Sequence, residues 1–238
     1  MEGTKRKAIA GSIWTLGGYG LSQVIRLGSN LLLAHLLFPA AFGLMALVTV
    51  FMQGLQMFSE LGIGPSIIHN RRGDDPEFLN TAFSLQAVRG GILFVACCAL
   101  AWPVSEFFAR SDPQARQLVY ILPVVGISAI IGGFISTSVF TLNRQLEIGK
   151  TTMIELGAQS VAVVTMLGWA YFSASVWALV AGWLANSLTR LALSHWMNRP
   201  RRDRLAWDRE ALRELLNFGV WIFLGTLVAF LAGSLDRI

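Results

Sequence analysis

The chain has 238 residues, of which 54% are hydrophobic and only 14% charged, against about 25% charged in a typical soluble domain. Its mean hydropathy is +0.57 and its pI about 9.8. Long uncharged runs recur, which excludes a secreted domain, a disordered chain and an ordinary cytosolic enzyme, and makes lipid the main solvent. Fifteen Phe and eight Trp suit interfacial anchoring. The net charge of +5 is not spread over a soluble module interleaved with aromatics, so nucleic acid is not an expected partner.

The pattern predicts an all-α, polytopic transmembrane helix bundle. It has about seven spans, six forming one bundle and the seventh starting a second. Each span is long enough to cross roughly 30 Å of hydrocarbon at 1.5 Å per residue. The spans fall at 12–37, 41–59, 81–105, 118–141, 152–172, 176–197 and 215–235. The basic N-terminus (Lys5, Arg6, Lys7) precedes an apolar run too long for a signal-peptide core, and that run carries Arg26. Two connections are very short, Phe38-Pro39-Ala40 and Ser173-Ala174-Ser175, whereas 60–80 and 198–214 are longer, charged loops. The N-terminus and the loops 60–80, 142–151 and 198–214 carry thirteen Lys and Arg, and the opposite side carries Arg110 and Arg116. That asymmetry predicts a multi-pass inner-membrane protein with a cytoplasmic N-terminus.

Three domains are expected: a six-helix lobe at 1–197, a basic cytoplasmic linker at 198–214, and the first span of a truncated C-terminal lobe at 215–238. Within 207–216, Leu212, Leu215 and Leu216 share a face, which predicts a surface helix at the inner leaflet. Cys97 and Cys98 are adjacent on one span and read as small buried apolar residues that do not bridge. No metal-ligand spacing or cofactor motif is present.

Polar residues inside spans are costly in lipid and mark function. Arg26 lies about twelve residues from either end of the first span. Tyr19, Gln23, Arg26 and Asn30 share one helical face, expected to line a wet cavity. A guanidinium there presents forked donors suited to phosphate oxygens. Arg89, Arg190 and Asn186 lie nearer the cytoplasmic ends of their spans and join the candidate binding set. Glu155, Gln159 and Glu60 are candidates for ion coupling or for ion pairing with these arginines, and structural pairing is the favoured reading. In the fourth span, Ser128, Gly132, Ser136 and Ala129, Gly133, Thr137 repeat at spacing four, which favours close helix packing.

The segment Asn30-Leu-Leu-Leu-Ala-His-Leu-Leu-Phe-Pro-Ala-Ala-Phe-Gly43-Leu-Met-Ala-Leu47 resembles a signature of polysaccharide exporters that joins their first two spans. The stretches Glu60-Leu-Gly-Ile-Gly64-Pro-Ser-Ile67, Gly132–Arg144, Ser175-Val-Trp-Ala-Leu179 and Glu214-Leu-Leu-Asn-Phe-Gly219 are also similar. Together they resemble Wzx-type oligosaccharide flippases, within the multidrug/oligosaccharidyl-lipid/polysaccharide exporter superfamily. The resemblance covers the N-terminal half of such a protein. His35 departs from it, where Arg or Lys is common. It implies two six-helix bundles facing across a cavity. It also implies alternating access that flips a polyprenyl-diphosphate-linked oligosaccharide, with Arg26 holding the diphosphate. The implied partners are lipid-linked oligosaccharide, membrane lipids, and other polysaccharide-assembly membrane proteins or a C-terminal half. Two alternatives stay open: a multidrug/cation antiporter of the same superfamily, and a nonfunctional truncated half-transporter.

Overall fold

The computed structural model describes residues 2–59, 61–197 and 203–235. All regular structure among them is helical: α1 (Glu2–Leu36), α2 (Pro39–Phe58), α3 (Ile63–His69), α4 (Pro76–Ala109), α5 (Leu118–Gly133), α6 (Ser138–Arg144), α7 (Ile148–Phe172), α8 (Val176–Trp196) and α9 (Arg209–Leu235). A 3₁₀ turn, Pro113–Gln117, leads into α5.

Helix starts follow their local chemistry. Pro39 opens α2 and Pro76 opens α4, where a missing N–H costs nothing. Asp75 caps α4 by accepting from the Glu77 N–H at 3.1 Å, and Asp208 caps α9 by accepting from the Ala211 N–H at 2.8 Å. Gly62 begins α3 at φ +60°, a left-handed conformation that a side chain would strain.

Five of these segments are long and apolar enough to cross a membrane: α2, α4, the 3₁₀ turn with α5, α7 and α8. The remaining long helices, α1 and α9, coincide with the first and seventh expected spans. The polar stripe Ser22, Gln23, Arg26, Ser29 and Asn30 dilutes the apolar character of α1. Large apolar side chains such as Leu27, Leu31, Ile92, Trp102, Val164 and Phe172 remain exposed on the outside, as a lipid-facing shell requires.

The main core joins Leu44, Val48 and Met52 of α2 to Cys97 of α4, Ile121, Leu122 and Val125 of α5, and Val176 and Val180 of α8. Cys97 is buried and Cys98 exposed, both as free thiols. The α4–α5 crossing is close because two glycines face backbone. A Cβ on Gly90 would lie 2.5 Å from the Ala129 carbonyl, and one on Gly133 would lie 2.9 Å from the Gln86 carbonyl. The small-residue packing expected of α5 is therefore met by Ala129 and Gly133. Gly90→Val is expected to cost ~3 kcal/mol by overpacking against backbone that cannot yield. The check is a lower melting temperature of the purified protein than for Gly91→Val, whose Cβ meets open space.

Four expectations need correction. The fourth span is not one helix over 118–141. It stops at Gly133, because the Gln86 amide donates to the Gly132 and Ile135 carbonyls at 2.9 and 3.0 Å and supplies partners that another turn would have supplied. Ser136 and Thr137 therefore lie beyond the helix. Loop 60–80 contains α3, whose Ile63 and Ile67, one turn apart, are fully sequestered. Loop 142–151 is largely taken up by α6 and the start of α7. Finally, 207–216 is not a separate surface helix. α9 runs through it unbroken, with Ala211 and Leu215 buried against Ile63, Ile67, Phe78 and Leu79, while Leu216 is exposed.

These segments meet at one end of the bundle. The Arg144 guanidinium donates to the Ile67, Ile68 and Asn70 carbonyls and pairs with Asp74 at 3.2 Å. Asp203 accepts from the Ser136 and Thr137 hydroxyls at 2.5 and 2.6 Å. The Arg204 N–H donates to the Asn80 side chain at 3.1 Å, and the Ala206 N–H to Ser84 at 3.0 Å. Arg72 pairs with Asp75 at 2.9 Å and with Glu210, Glu214 and Asp208 at 3.5–3.6 Å. Its pKa is held above the ordinary value, chiefly by the hydrogen bond to Asp75. From Asp203 onward, the expected linker is thus bonded onto the lobe.

Candidate functional site: an arginine-bearing cavity

Five helices line a half-open cavity of about 460 Å³. α1 contributes Arg26, Ser29 and Asn30; α2 contributes Gln56; α5 contributes Ser128 and Gly132. α7 lines it with Gln159, Ala162, Val163 and Met166, and α8 with Gly182, Trp183, Asn186, Ser187 and Arg190. The volume suits a small ligand or the headgroup of a larger one.

Arg26 is the sharpest feature. Its guanidinium has no hydrogen-bond or ion-pair partner among the described residues. Asn30 stands one turn further along the same wall. Both residues are exposed, and an unpaired guanidinium facing hydrocarbon would be very costly, so this wall faces water, an anion or further protein rather than lipid. Arg190 differs. It reaches Glu155 at 3.5 Å, and both side chains are partly exposed. Glu155 thus stands within ion-pair distance of Arg190.

The remaining candidates divide among neighbouring spaces. Arg89 lines an adjoining cavity of about 230 Å³ that shares Gln56, Ser128 and Gly132 with the first. Its guanidinium donates to the Ser59 hydroxyl at 3.1 Å and the Gln56 carbonyl at 3.0 Å, which ties it to the end of α2. Tyr19 and Glu155 line a third cavity of about 270 Å³ between α1 and α7. Gln23 lines none of these three and donates to the Tyr19 hydroxyl at 2.7 Å. Glu60 lies outside the described residues.

The face of α1 expected to line one cavity is therefore divided, and the cause is local. Ser22 donates to the Gln159 side chain at 2.7 Å, and Gln159 donates back to the Ser22 carbonyl at 3.0 Å. This pair of hydrogen bonds closes α1 onto α7 between Tyr19 and Arg26, which stand about 10 Å apart along the axis.

Sequence reasoning missed Trp183 and Ser187, and read Ser128 only as packing. The signal was present: Trp183, Asn186, Ser187 and Arg190 follow i, i+3, i+4, i+7 on α8, the spacing of one helical face.

An apolar outer shell and five helices able to cross a membrane, around a polar, arginine-bearing cleft, mark a multi-pass membrane protein. The chain belongs to the polysaccharide biosynthesis protein family, whose model matches residues 32–238. It is 23% identical over 239 residues to the lipopolysaccharide biosynthesis protein WzxC of Escherichia coli (strain K12). That alignment covers 98% of this chain and 46% of WzxC, so the chain spans about half the length of the curated relative it matches. No solved structure matches it. Both positive findings agree with the Wzx-type resemblance carried by the motifs at residues 30–47 and beyond.

Proposed function

We propose that this chain forms the first lobe of a transporter that moves a polyprenyl-diphosphate-linked oligosaccharide across the bacterial inner membrane. Residues 1–197 make the lobe, 198–214 the basic connection, and 215–238 the start of the second lobe. The N-terminus is cytoplasmic, a reading supported by the thirteen-to-two distribution of Lys and Arg.

The observation that carries the proposal is Arg26, an unpartnered guanidinium in the polar cavity. A diphosphate offers several oxygens to a forked donor. Asn30, Asn186 and Arg190 extend the polar wall for the sugars, and the polyprenyl chain stays in lipid. Arg89, in the adjoining cavity, is a second contact for the anionic headgroup. Tyr19 and Gln23 shape the neighbouring entrance, while Gln159 and Glu155 hold the wall together. Glu60 remains a candidate for ion coupling. The work is translocation: no bond is made or broken.

The cavity chemistry favours an anionic cargo over the cations of a multidrug antiporter, because its one free charge is positive among the described residues. The test is reconstitution of the full-length protein in liposomes. Translocation of a lipid-diphosphate oligosaccharide without translocation of a cationic dye is the expected result. Dye transport with no movement of the glycolipid would reverse the assignment.

A further inference from the structure

Resting on that reading of the cavity, we propose that Trp183 is the sugar-stacking platform of the site, oriented by Ser128 and lining the same cavity as Arg26. Two observations carry this. First, Trp183, Asn186, Ser187 and Arg190 all line the cavity from one face of α8. The same wall thus offers an aromatic ring, an amide and a hydroxyl. Second, the indole is tethered. Its Nε1–H donates to the Ser128 hydroxyl at 3.0 Å, and that hydroxyl donates to the Val125 carbonyl at 2.6 Å. Ser128 is buried, so this relay is a fixed internal contact.

A half-buried indole N–H needs an acceptor whether the ring is core filler or platform; Trp183 packs partly against the main core and turns its remaining surface to the cavity. Here the N–H is satisfied on the α5 side, while the residue remains half-exposed at the cavity. A pyranose ring has an apolar face of C–H groups and a rim of hydroxyls. The negative face of an indole attracts the former, and neighbouring amides and hydroxyls bind the latter. Arg190, the one cation on this wall, is already engaged with Glu155. The α8 wall is therefore the more nearly neutral side, and the α1 wall with Arg26 is the cationic one. That division matches a cargo whose charge sits at one end and whose sugars extend from it.

The experiment uses the purified full-length protein and two probes, inorganic pyrophosphate and the repeat-unit oligosaccharide released by mild acid from the host's own polysaccharide. Thermal stabilisation is titrated with each. The wild type is expected to respond to both. Trp183→Ala should weaken the oligosaccharide response about tenfold and leave the pyrophosphate response within twofold. Trp183→Phe, which keeps a ring without the tether, and Ser128→Ala, which keeps the indole without its acceptor, should each weaken the oligosaccharide response about threefold. The platform is overturned if Trp183→Ala binds oligosaccharide like the wild type, or if it loses both responses together. It is also overturned if the wild type ignores the oligosaccharide while still binding pyrophosphate, which leaves the anion site standing. A wild type that binds oligosaccharide and ignores pyrophosphate supports the platform and sinks the diphosphate assignment.

Discussion

Arg26→Ala in the full-length protein should lower glycolipid translocation roughly 30-fold or more, with little change in the amount of folded protein. A charge-assisted hydrogen bond is worth about 1.5–3 kcal/mol, each 1.4 kcal/mol is a factor of ten, and a diphosphate engages a guanidinium through more than one oxygen. Folding should be spared because the Arg26 guanidinium holds nothing else among the described residues. Arg26→Lys keeps the charge and loses the fork, so it should recover only part of the rate. Arg190→Ala provides the contrast. Its charge is already shared with Glu155 at 3.5 Å, in a pair whose side chains are 44% and 61% exposed. Such exposed pairs contribute little, so a loss of about threefold is expected. Initial rates in liposomes, normalised to reconstituted protein, measure all three. Equal rates for Arg26→Ala and the wild type would remove the guanidinium from the mechanism.

Arg26 was legible because a lone charge in a long apolar run has few explanations. Trp183 was not, since an aromatic residue in a span reads first as core, and its place on the cavity wall depends on helices distant in sequence, as its hydrogen bond to Ser128, 55 residues away, illustrates. The break after Gly133 was hidden for the same reason. The glycine pair permitted a stop, but the decisive partner, Gln86, belongs to another helix. The division of the α1 face likewise depends on Gln159, 137 residues from Ser22. Local periodicity fixes which face of a helix is polar. It does not fix which neighbour that face meets at each turn.

The polar end of the bundle shows the same limit. From sequence, 60–80 reads as a charged loop and 198–214 as a basic cytoplasmic linker. Folding instead collects Asp75, Asp208, Glu210 and Glu214 around one arginine, Arg72. Each pair alone is worth little. Their common hub lies over Ala211 and Leu215, which pack α9 against α3 and α4, so burial does the larger share of the work there.

Gly73 is the position in this region where a single methyl group should do most harm. A Cβ there would collide with the Ile67 carbonyl and with the Arg144 guanidinium. The carbonyl belongs to the last turn of α3 and cannot swing aside. The guanidinium is fixed by the Ile67, Ile68 and Asn70 carbonyls and by Asp74. Relieving the clash means giving up contacts that join α3 to α6. Overpacking costs about 1–3 kcal/mol, and each charge-assisted bond lost adds about 1.5–3 kcal/mol, so Gly73→Ala should destabilise by ~3 kcal/mol or more. Arg144→Ala removes the same joint from the other side and should destabilise comparably, leaving the Ile67 and Ile68 carbonyls without that donor while the Asn70 carbonyl keeps the Gly73 N–H. Gly43→Ala is the internal control. It lies within α2 with open space around its Cβ, and alanine is the better helix former by about 1 kcal/mol. Thermal melts of the purified full-length variants should therefore rank Gly43→Ala at or slightly above the wild type, and Gly73→Ala and Arg144→Ala well below it. A Gly73→Ala protein that melts with the wild type would mean that the joint between α3 and α6 is looser than its hydrogen bonds imply.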